Sequence, residues 1–205
     1  MDHSGSKPPA DLPDWLPRLQ PGFYRGHSAV HWQMTADRRA TGWLTPAFHS
    51  ACRELLTHTL ARYELVCPAY CLMPDHMHLI WMCVAETSDQ RKAAKFFRQH
   101  ANKLLDRSLP GTRLQKQAYD HVLRQKERGP DAIRAMAWYL MQNPVRAGLA
   151  KRAEDWFFLG CLVPGYPNLH PLEAGYWDKF WKLKALLVEQ KHSPAQAHRG
   201  ETPHP

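Results

Sequence analysis

Two strand-like runs separated by only two residues are the feature that most constrains the fold of this chain. Residues 64–73 and 76–84 are both largely apolar, and the dipeptide Pro74-Asp75 breaks them. A break this short favours antiparallel neighbours, because a parallel connection needs a dozen or more residues. The sequence therefore predicts a β-hairpin in this region.

Further strands and helices are predicted on both sides of the hairpin. Residues 29–35 have the pattern of a strand, and Thr45-Pro46 begins a helix with threonine as N-cap and proline at the first position. The remaining predicted elements are a basic helix over about 88–106 capped by Ser88 or Asp89, a strand around 117–124, a helix from 130 that stops at Asn143-Pro144, and a helix over about 174–190. This order predicts an α+β sandwich with a mainly antiparallel sheet.

Positive charge is concentrated in one part of the chain. Residues 91–128 contain eleven Lys and Arg against three acidic residues, an excess of eight that equals the net charge of the whole protein. Such a stretch is typical of a polyanion partner, although a solvated helix face gives the same pattern. Six of these side chains are candidates for contacts with the phosphates of a nucleic acid: Arg91, Lys92, Lys95, Arg98, Lys103 and Arg124.

The other compositional features point to a reduced, non-membrane environment. The chain has no apolar run long enough to cross a membrane, and its beginning lacks the apolar stretch of a signal peptide. The five cysteines are odd in number and match no close metal-binding pattern, so we expect buried thiols. These observations predict a cytoplasmic protein with no membrane partner.

Two histidines share one face of the second hairpin strand. His76 and His78 are two residues apart, and alternate residues of a strand point the same way. Neutral imidazoles are common metal ligands, so the pair can close on one ion, or it can be two hydrogen-bonded core histidines. Zinc normally needs three or four protein ligands, whereas two histidines and a weaker donor suit Mg²⁺ or Mn²⁺ bound together with a phosphate.

A tyrosine and an asparagine lie one turn apart on the helix that begins at residue 130. Tyr139 and Asn143 are spaced i, i+4, at the edge of the apolar stripe of that helix. Pro144 disfavours helical geometry at Asn143, so we expect a carboxamide at the helix end that is free to turn toward a ligand. A phenol nucleophile with an amide donor nearby is a usable catalytic pair, and an ordinary boundary aromatic beside a helix end is the alternative.

Taken together, these segments resemble the HUH-type single-tyrosine transposases, and within them the IS200-like REP-associated tyrosine transposases. The hairpin Tyr70-Cys71-Leu72-Met73-Pro74-Asp75-His76-Met77-His78-Leu79-Ile80-Trp81 is similar to the family's His-hydrophobic-His signature. The segment from Tyr139 to Asn143-Pro144-Val145 is similar to its tyrosine helix. Two further blocks, Tyr119-Asp120-His121 and Glu154-Asp155-Trp156, flank that helix in the same order. The likeness covers about residues 28–160.

The resemblance implies a ferredoxin-like sandwich with helices on one face and metal-dependent cleavage and rejoining of single-stranded DNA. It implies Tyr139 as nucleophile, His76 and His78 as ligands of Mg²⁺ or Mn²⁺, and Asn143 as the third ligand. It also implies recognition of hairpin DNA of the REP-palindrome kind, by a nucleoid-associated monomer or homodimer.

Composition along the chain, together with the extent of the resemblance, predicts a division of the chain. Residues 1–26 would be a disordered Pro-rich arm and residues 27–160 the catalytic domain. Residues 161–191 would be a C-terminal helical extension and residues 192–205 a disordered tail. Two alternatives stay open: a metal-dependent hydrolase of a small substrate, and a non-catalytic nucleic-acid-binding module.

Overall fold

The centre of the protein is a five-stranded antiparallel sheet. A computed structural model describes residues 19–124, 127 and 129–192. The strands are β1 (Ala29–Thr35), β2 (Leu65–Met73), β3 (His76–Cys83), β4 (Tyr119–Val122) and β5 (Leu159–Leu162). They lie in the order β4-β1-β3-β2-β5, and every neighbouring pair is antiparallel. The first four reproduce the ferredoxin-like arrangement, and β5 extends the sheet beyond β2.

Helices connect the strands and follow them. The α-helices are α1 (Pro46–Arg62), α2 (Gln90–Ser108), α3 (Pro130–Met141), α4 (Asn143–Arg146) and α5 (Tyr176–His192). Short 3-10 segments span Pro21–Tyr24, Asp37–Arg39 and Ala153–Asp155. Within the described ranges, no helix has the length and apolar character needed to cross a membrane.

Local sequence signals account for the starts of the first two helices. The side chain of Thr45 accepts a hydrogen bond from the amide of Phe48, as predicted for an N-cap followed by proline. Asp89 caps α2 by accepting from the amides of Arg91 and Lys92. Of the two predicted caps for α2, Asp89 is therefore the correct one.

The first face of the sheet packs against α1 and α2. The connections β1-α1-β2 and β3-α2-β4 each join parallel strands that are not adjacent, and right-handed crossovers place both helices on one face. Trp32 and Trp81 on the sheet and Leu56 and Phe97 on the helices are fully buried there. The buried indole of Trp32 donates to Gln90 at the start of α2.

The second face of the sheet packs against α3 and α5. Leu140 of α3 packs over Cys71 and Ile80, and Phe180 of α5 packs with Val66. Every residue of β2 is buried as a consequence, which is the pattern of a central strand covered on both sides. The α+β class and the antiparallel sheet are confirmed. The prediction of helices on one face holds for α1 and α2, whereas α3 and α5 cover the opposite face.

The fold differs from the sequence prediction in three places. Strand β5 was not predicted, and the proposed domain boundary at residue 160 falls inside it. The helix from residue 130 ends at Met141, close to the predicted stop at Asn143-Pro144, but a separate one-turn helix, α4, follows it. Of the predicted disordered arm, Pro21–Tyr24 is a 3-10 helix that buries Tyr24. Residues 1–18 of the arm and 193–205 of the tail lie outside the described residues.

All five cysteines are buried free thiols, as predicted. Burial raises the pKa of Cys52 and of Cys71 to about 12, so both stay protonated at neutral pH. They behave as small core residues.

Candidate active site

The histidine pair lies on β3 and points toward the sheet face that carries α3. His78 is paired with Gln33 of β1 on one side and with Cys71 of β2 on the other. Strand alternation places His76 and His78 on the face opposite to Met77 and Leu79, which belong to the core beneath α1 and α2. The site therefore lies on the second face of the sheet.

The two imidazoles converge on each other through corresponding nitrogens. The Nε2 atoms of His76 and His78 are 2.9 Å apart, and the rings are almost perpendicular at 83°. Two adjacent ligands of one divalent ion, each about 2.1 Å from it, have nitrogens separated by roughly this distance. The geometry fits a pair of ligands to a single ion.

Each histidine is held from behind through its other ring nitrogen. Nδ1 of His76 lies 2.6 Å from a carboxylate oxygen of Asp75, which also forms an ion pair with Arg39 at 2.7 Å. Nδ1 of His78 lies 3.1 Å from Nε2 of His31 on β1, and the two rings are stacked. A carboxylate or an acceptor behind a ligating histidine fixes its tautomer and its orientation, which is the usual support of a metal ligand.

Burial keeps the inner histidines neutral. Burial, with a smaller effect from the charges of His31, His76 and Arg146, lowers the pKa of His78 to about 3. Burial and the charge of His121 lower the pKa of His31 to about 4. At neutral pH both rings therefore keep a lone pair that can accept a proton or coordinate an ion.

The carboxylate behind His76 stays ionised. Burial raises the pKa of Asp75, but hydrogen bonds and charges from His76 and Arg39 outweigh this effect and hold the pKa below its ordinary value. An ionised carboxylate accepts the Nδ1 proton of His76, and this leaves the Nε2 lone pair facing the site.

The donor set fits a weakly held hard cation rather than a closed structural metal site. Within the described ranges, no group of three or more His, Cys, Asp or Glu residues could hold a metal ion. His76 and His78 would therefore need an amide, a phosphate or water to complete a coordination shell. This is the chemistry expected for Mg²⁺ or Mn²⁺ with a bound substrate. The identity of the ion stays a prediction.

Tyr139 is an exposed residue near the C-terminal end of α3. Its side chain is 64% exposed, and the guanidinium of Arg146 lies 3.8 Å from the centre of its ring. Arg146 also donates to the carbonyl of Tyr139 at 2.9 Å. Leu140 and Met141, the next residues of α3, pack against β2 beside the histidine strand. Helix α3 therefore packs on the histidine face of the sheet, and the phenol of Tyr139 is open to a large substrate.

Asn143 does not have the free helix-end position expected for it. It is the first residue of α4, and its Oδ1 accepts a hydrogen bond from Arg146 at 2.5 Å. The prediction of an unconstrained carboxamide is wrong. Pro144 does not end the helical segment, because it sits in the first turn of α4, where its missing amide proton costs nothing. Asn143 therefore begins a new helical turn within reach of Arg146. Arg146 thus links Asn143 to the backbone of Tyr139, and its charge contributes to the lowered pKa of His78.

The basic side chains of α2 lie on the other side of the sheet from the histidines. Arg91, Lys92, Lys95 and Arg98 line a groove of about 610 Å³ together with Arg25. Lys103 is an exposed residue further along α2. Arg124 is exposed just after β4, where its amide donates to Glu127. The structure therefore brings together four of the six predicted DNA contacts.

Three residues of the site were not predicted. Asp75 adjoins His76 in the sequence, and an acidic neighbour of a candidate ligand is a usable signal. His31 lies in a predicted strand, but no sequence spacing reveals that β1 pairs with β3. Arg146 is three residues after Asn143, a spacing at which helical side chains meet.

Comparisons with known proteins give a likeness to solved structures. No family model matches the chain, and no curated protein matches it. Among solved structures, the chain is similar to a REP-associated tyrosine transposase bound to a REP hairpin. The identity is 20% over 71% of this chain and 81% of the other, with a TM-score of 0.56. At this identity, the likeness shows a shared fold.

Proposed function

We propose that this protein is a DNA transposase that cleaves single-stranded DNA beside a hairpin and rejoins the strand through a tyrosine intermediate. The observation that carries the proposal is the pair of Nε2 atoms 2.9 Å apart, supported from behind by Asp75 and His31. The exposed phenol of Tyr139 belongs to α3, the helix that packs on the same sheet face. The fold shared with a hairpin-bound tyrosine transposase supports the same reading.

Tyr139 supplies the nucleophile in this proposal. Its hydroxyl oxygen attacks the phosphorus of a phosphodiester in line with the bond to the 3′ oxygen. The phenol loses its proton as its oxygen bonds to the 5′ phosphate of the downstream strand, and the 3′ oxygen of the upstream strand leaves and takes up a proton. One phosphodiester-type bond forms for each phosphodiester bond that breaks. Attack by a 3′ hydroxyl on the phosphotyrosine can therefore reverse the step and rejoin DNA without ATP.

The histidines and Asn143 provide the electrophilic side of the site. A divalent ion bound there would polarise the scissile phosphate and offset the charge that develops on the phosphate oxygens. Asp75 and His31 keep the Nδ1 protons of His76 and His78 directed away from the site, so that both Nε2 lone pairs face it. Asn143 would serve as the third ligand only after its Oδ1 gives up the hydrogen bond from Arg146 and turns to the ion.

The basic groove beside α2 provides a track for the DNA backbone. Four cations on one helix can neutralise successive phosphates, and this binding weakens with salt because counterions are released. Since the groove and the histidines are on opposite faces, the DNA would pass around the edge of the sheet. We propose hairpin DNA as the partner and the nucleoid as the location, with the protein acting as a monomer or a homodimer.

One experiment separates this function from its alternatives. The protein is incubated with end-labelled hairpin-bearing single-stranded DNA and Mn²⁺, and the products are separated on a denaturing gel. A strand transferase gives a shortened strand when the DNA is labelled at its 5′ end, and a labelled band of protein with covalently attached DNA when it is labelled at its 3′ end. A hydrolase of small substrates gives neither band, and a non-catalytic module retards the DNA only under native conditions.

A further inference from the structure

A second cavity opens beside the start of α1. It has a volume of about 580 Å³ and lies between the start of α1 and the segment 167–173. Its walls carry His49, Arg53, Phe157 and Glu173. A volume of this size accommodates a ligand as large as a nucleotide.

A buried tyrosine anchors the guanidinium of Arg53 at this cavity. The hydroxyl of Tyr70 lies 2.9 Å from Nε2 of His49 and accepts a hydrogen bond from Nη1 of Arg53. Gly160 of β5 makes room for this arrangement, because a Cβ there would lie 2.7 Å from the Tyr70 hydroxyl. The ion pairs among the described residues do not include Arg53. A half-buried cation is thus held in place with N–H groups left for an anion.

Phe157 adds an exposed aromatic surface on a rigid segment. Its side chain is 64% exposed, and its ring meets that of His49 edge to face at 5.2 Å. The residues on either side are fixed to β2: the amide of Leu72 donates to the carbonyl of Phe158, and the indole of Trp156 donates to the carbonyl of Leu72. An anchored cation next to an exposed aromatic is what proteins use to bind an unpaired nucleotide.

We propose that this cavity binds one unpaired nucleotide of the DNA substrate, with its phosphate at Arg53, its base against Phe157 and an amino group of the base at Glu173. The assignment rests on the proposed function for its substrate class. Glu173 is exposed on the opposite wall, and a carboxylate only accepts hydrogen bonds. It therefore favours a base with an amino group, such as cytosine, over thymine.

The position of the cavity connects it to the histidine site. Met73 of β2 is paired with His76, and its neighbour Leu72 is bonded to Phe158. Two strand spacings of roughly 4.8 Å place Phe158 about 10 Å from β3. A single strand leaving the histidine site can reach Phe157 by passing over this edge of the sheet.

Photocrosslinking tests the assignment without cleavage. The Tyr139→Phe protein, without added metal, is irradiated with a short oligodeoxynucleotide that carries one 5-iododeoxycytidine, and the crosslinked peptide is identified by mass spectrometry. We expect a crosslink at Phe157. Arg53→Gln should lower its yield at least about tenfold through the loss of a charge-assisted hydrogen bond. Arg62→Gln, the same charge change on the same helix, should not.

A second arm tests the preference for an amino-bearing base. Replacing the cytidine with 5-iododeoxyuridine should lower the yield at Phe157, and Glu173→Gln should remove the difference between the two bases. Circular dichroism checks that each variant is folded, and Arg53→Lys provides a milder substitution. No crosslink at Phe157, or an equal yield in folded Arg53→Gln, overturns the proposal. Since no step needs Tyr139 chemistry, a failure of the proposed strand transfer would show separately on the denaturing gel.

Discussion

Replacing His31 with leucine should weaken metal binding without removing either proposed ligand. For both Nε2 atoms of the pair to coordinate one ion, both Nδ1 atoms must carry protons. Nδ1 of His76 then donates to Asp75, and Nδ1 of His78 donates to His31, whose Nε2 is 3.1 Å away. Leucine fills similar space but accepts no hydrogen bond, so the Nδ1–H of His78 is left buried and unpaired.

The size of the effect follows from that unpaired donor. Leaving a buried donor unsatisfied costs about 1–3 kcal/mol. Because each 1.4 kcal/mol is a factor of ten, the Kd for Mn²⁺ should rise between about fivefold and a hundredfold or more. This range overlaps the roughly 10–100-fold losses typical of residues that support metal ligands. Isothermal titration of the DNA-free protein with Mn²⁺ measures the change directly.

Two matched variants separate the loss of the hydrogen-bond acceptor from the loss of a histidine side chain in general. His31→Gln retains an acceptor and should keep most of the affinity. His121→Leu removes a 42% exposed histidine that lies opposite His31 on β4 and acts on it only through charge. The Kd for Mn²⁺ should therefore change much less than in His31→Leu. A folded His31→Leu protein with the affinity of wild type would refute the positioning role of His31, as would an equal loss in His121→Leu.

Three further predictions concern pH, DNA binding and Asn143. Burial holds the pKa values of His31, His49 and His78 at about 4, 4 and 3, below the 6.5 of the unfolded chain, so the free energy of unfolding should be constant above pH 6.5 and fall on acidification. Urea denaturation at pH 7.5 and 5.0 checks this, and equal stabilities would contradict the burial of neutral histidines. Lys95→Glu should lower the affinity for hairpin DNA and flatten the dependence of log K on log salt by about one, measured by fluorescence anisotropy, and an unchanged slope would move the DNA track elsewhere. Asn143→Ala should raise the Mn²⁺ concentration for half-maximal cleavage while costing on the order of 1 kcal/mol of stability, and an unaltered metal titration would remove Asn143 from the ligand set.

The elements with strong local signals could be predicted from the sequence. Thr45-Pro46 marks the start of α1 by a cap and a proline whose effects are local. The two-residue break between β2 and β3 leaves only an antiparallel hairpin as a short connection. The pair His76 and His78 follows from strand alternation alone, and both side chains lie on one face as predicted.

The features that depend on the partners of a strand could not be predicted. Strand β5 is four residues long and buried throughout. It therefore has neither the alternation of apolar and polar residues nor the length by which a strand is recognised in a sequence. His31 reaches His78 only because β1 lies next to β3, and no spacing along the chain records that pairing. The same holds for α2, since its basic residues identify an exposed face but do not reveal that it covers the side of the sheet away from the histidines.

The covalent intermediate is the central claim and can be measured directly. Wild-type protein is incubated with hairpin single-stranded DNA and Mn²⁺, digested with nuclease and protease, and analysed by mass spectrometry. The account predicts nucleotides attached to Tyr139, and a Tyr139→Phe protein that binds the hairpin with unchanged Kd but forms no adduct. An adduct on another residue, or cleavage by the phenylalanine variant, would contradict the account.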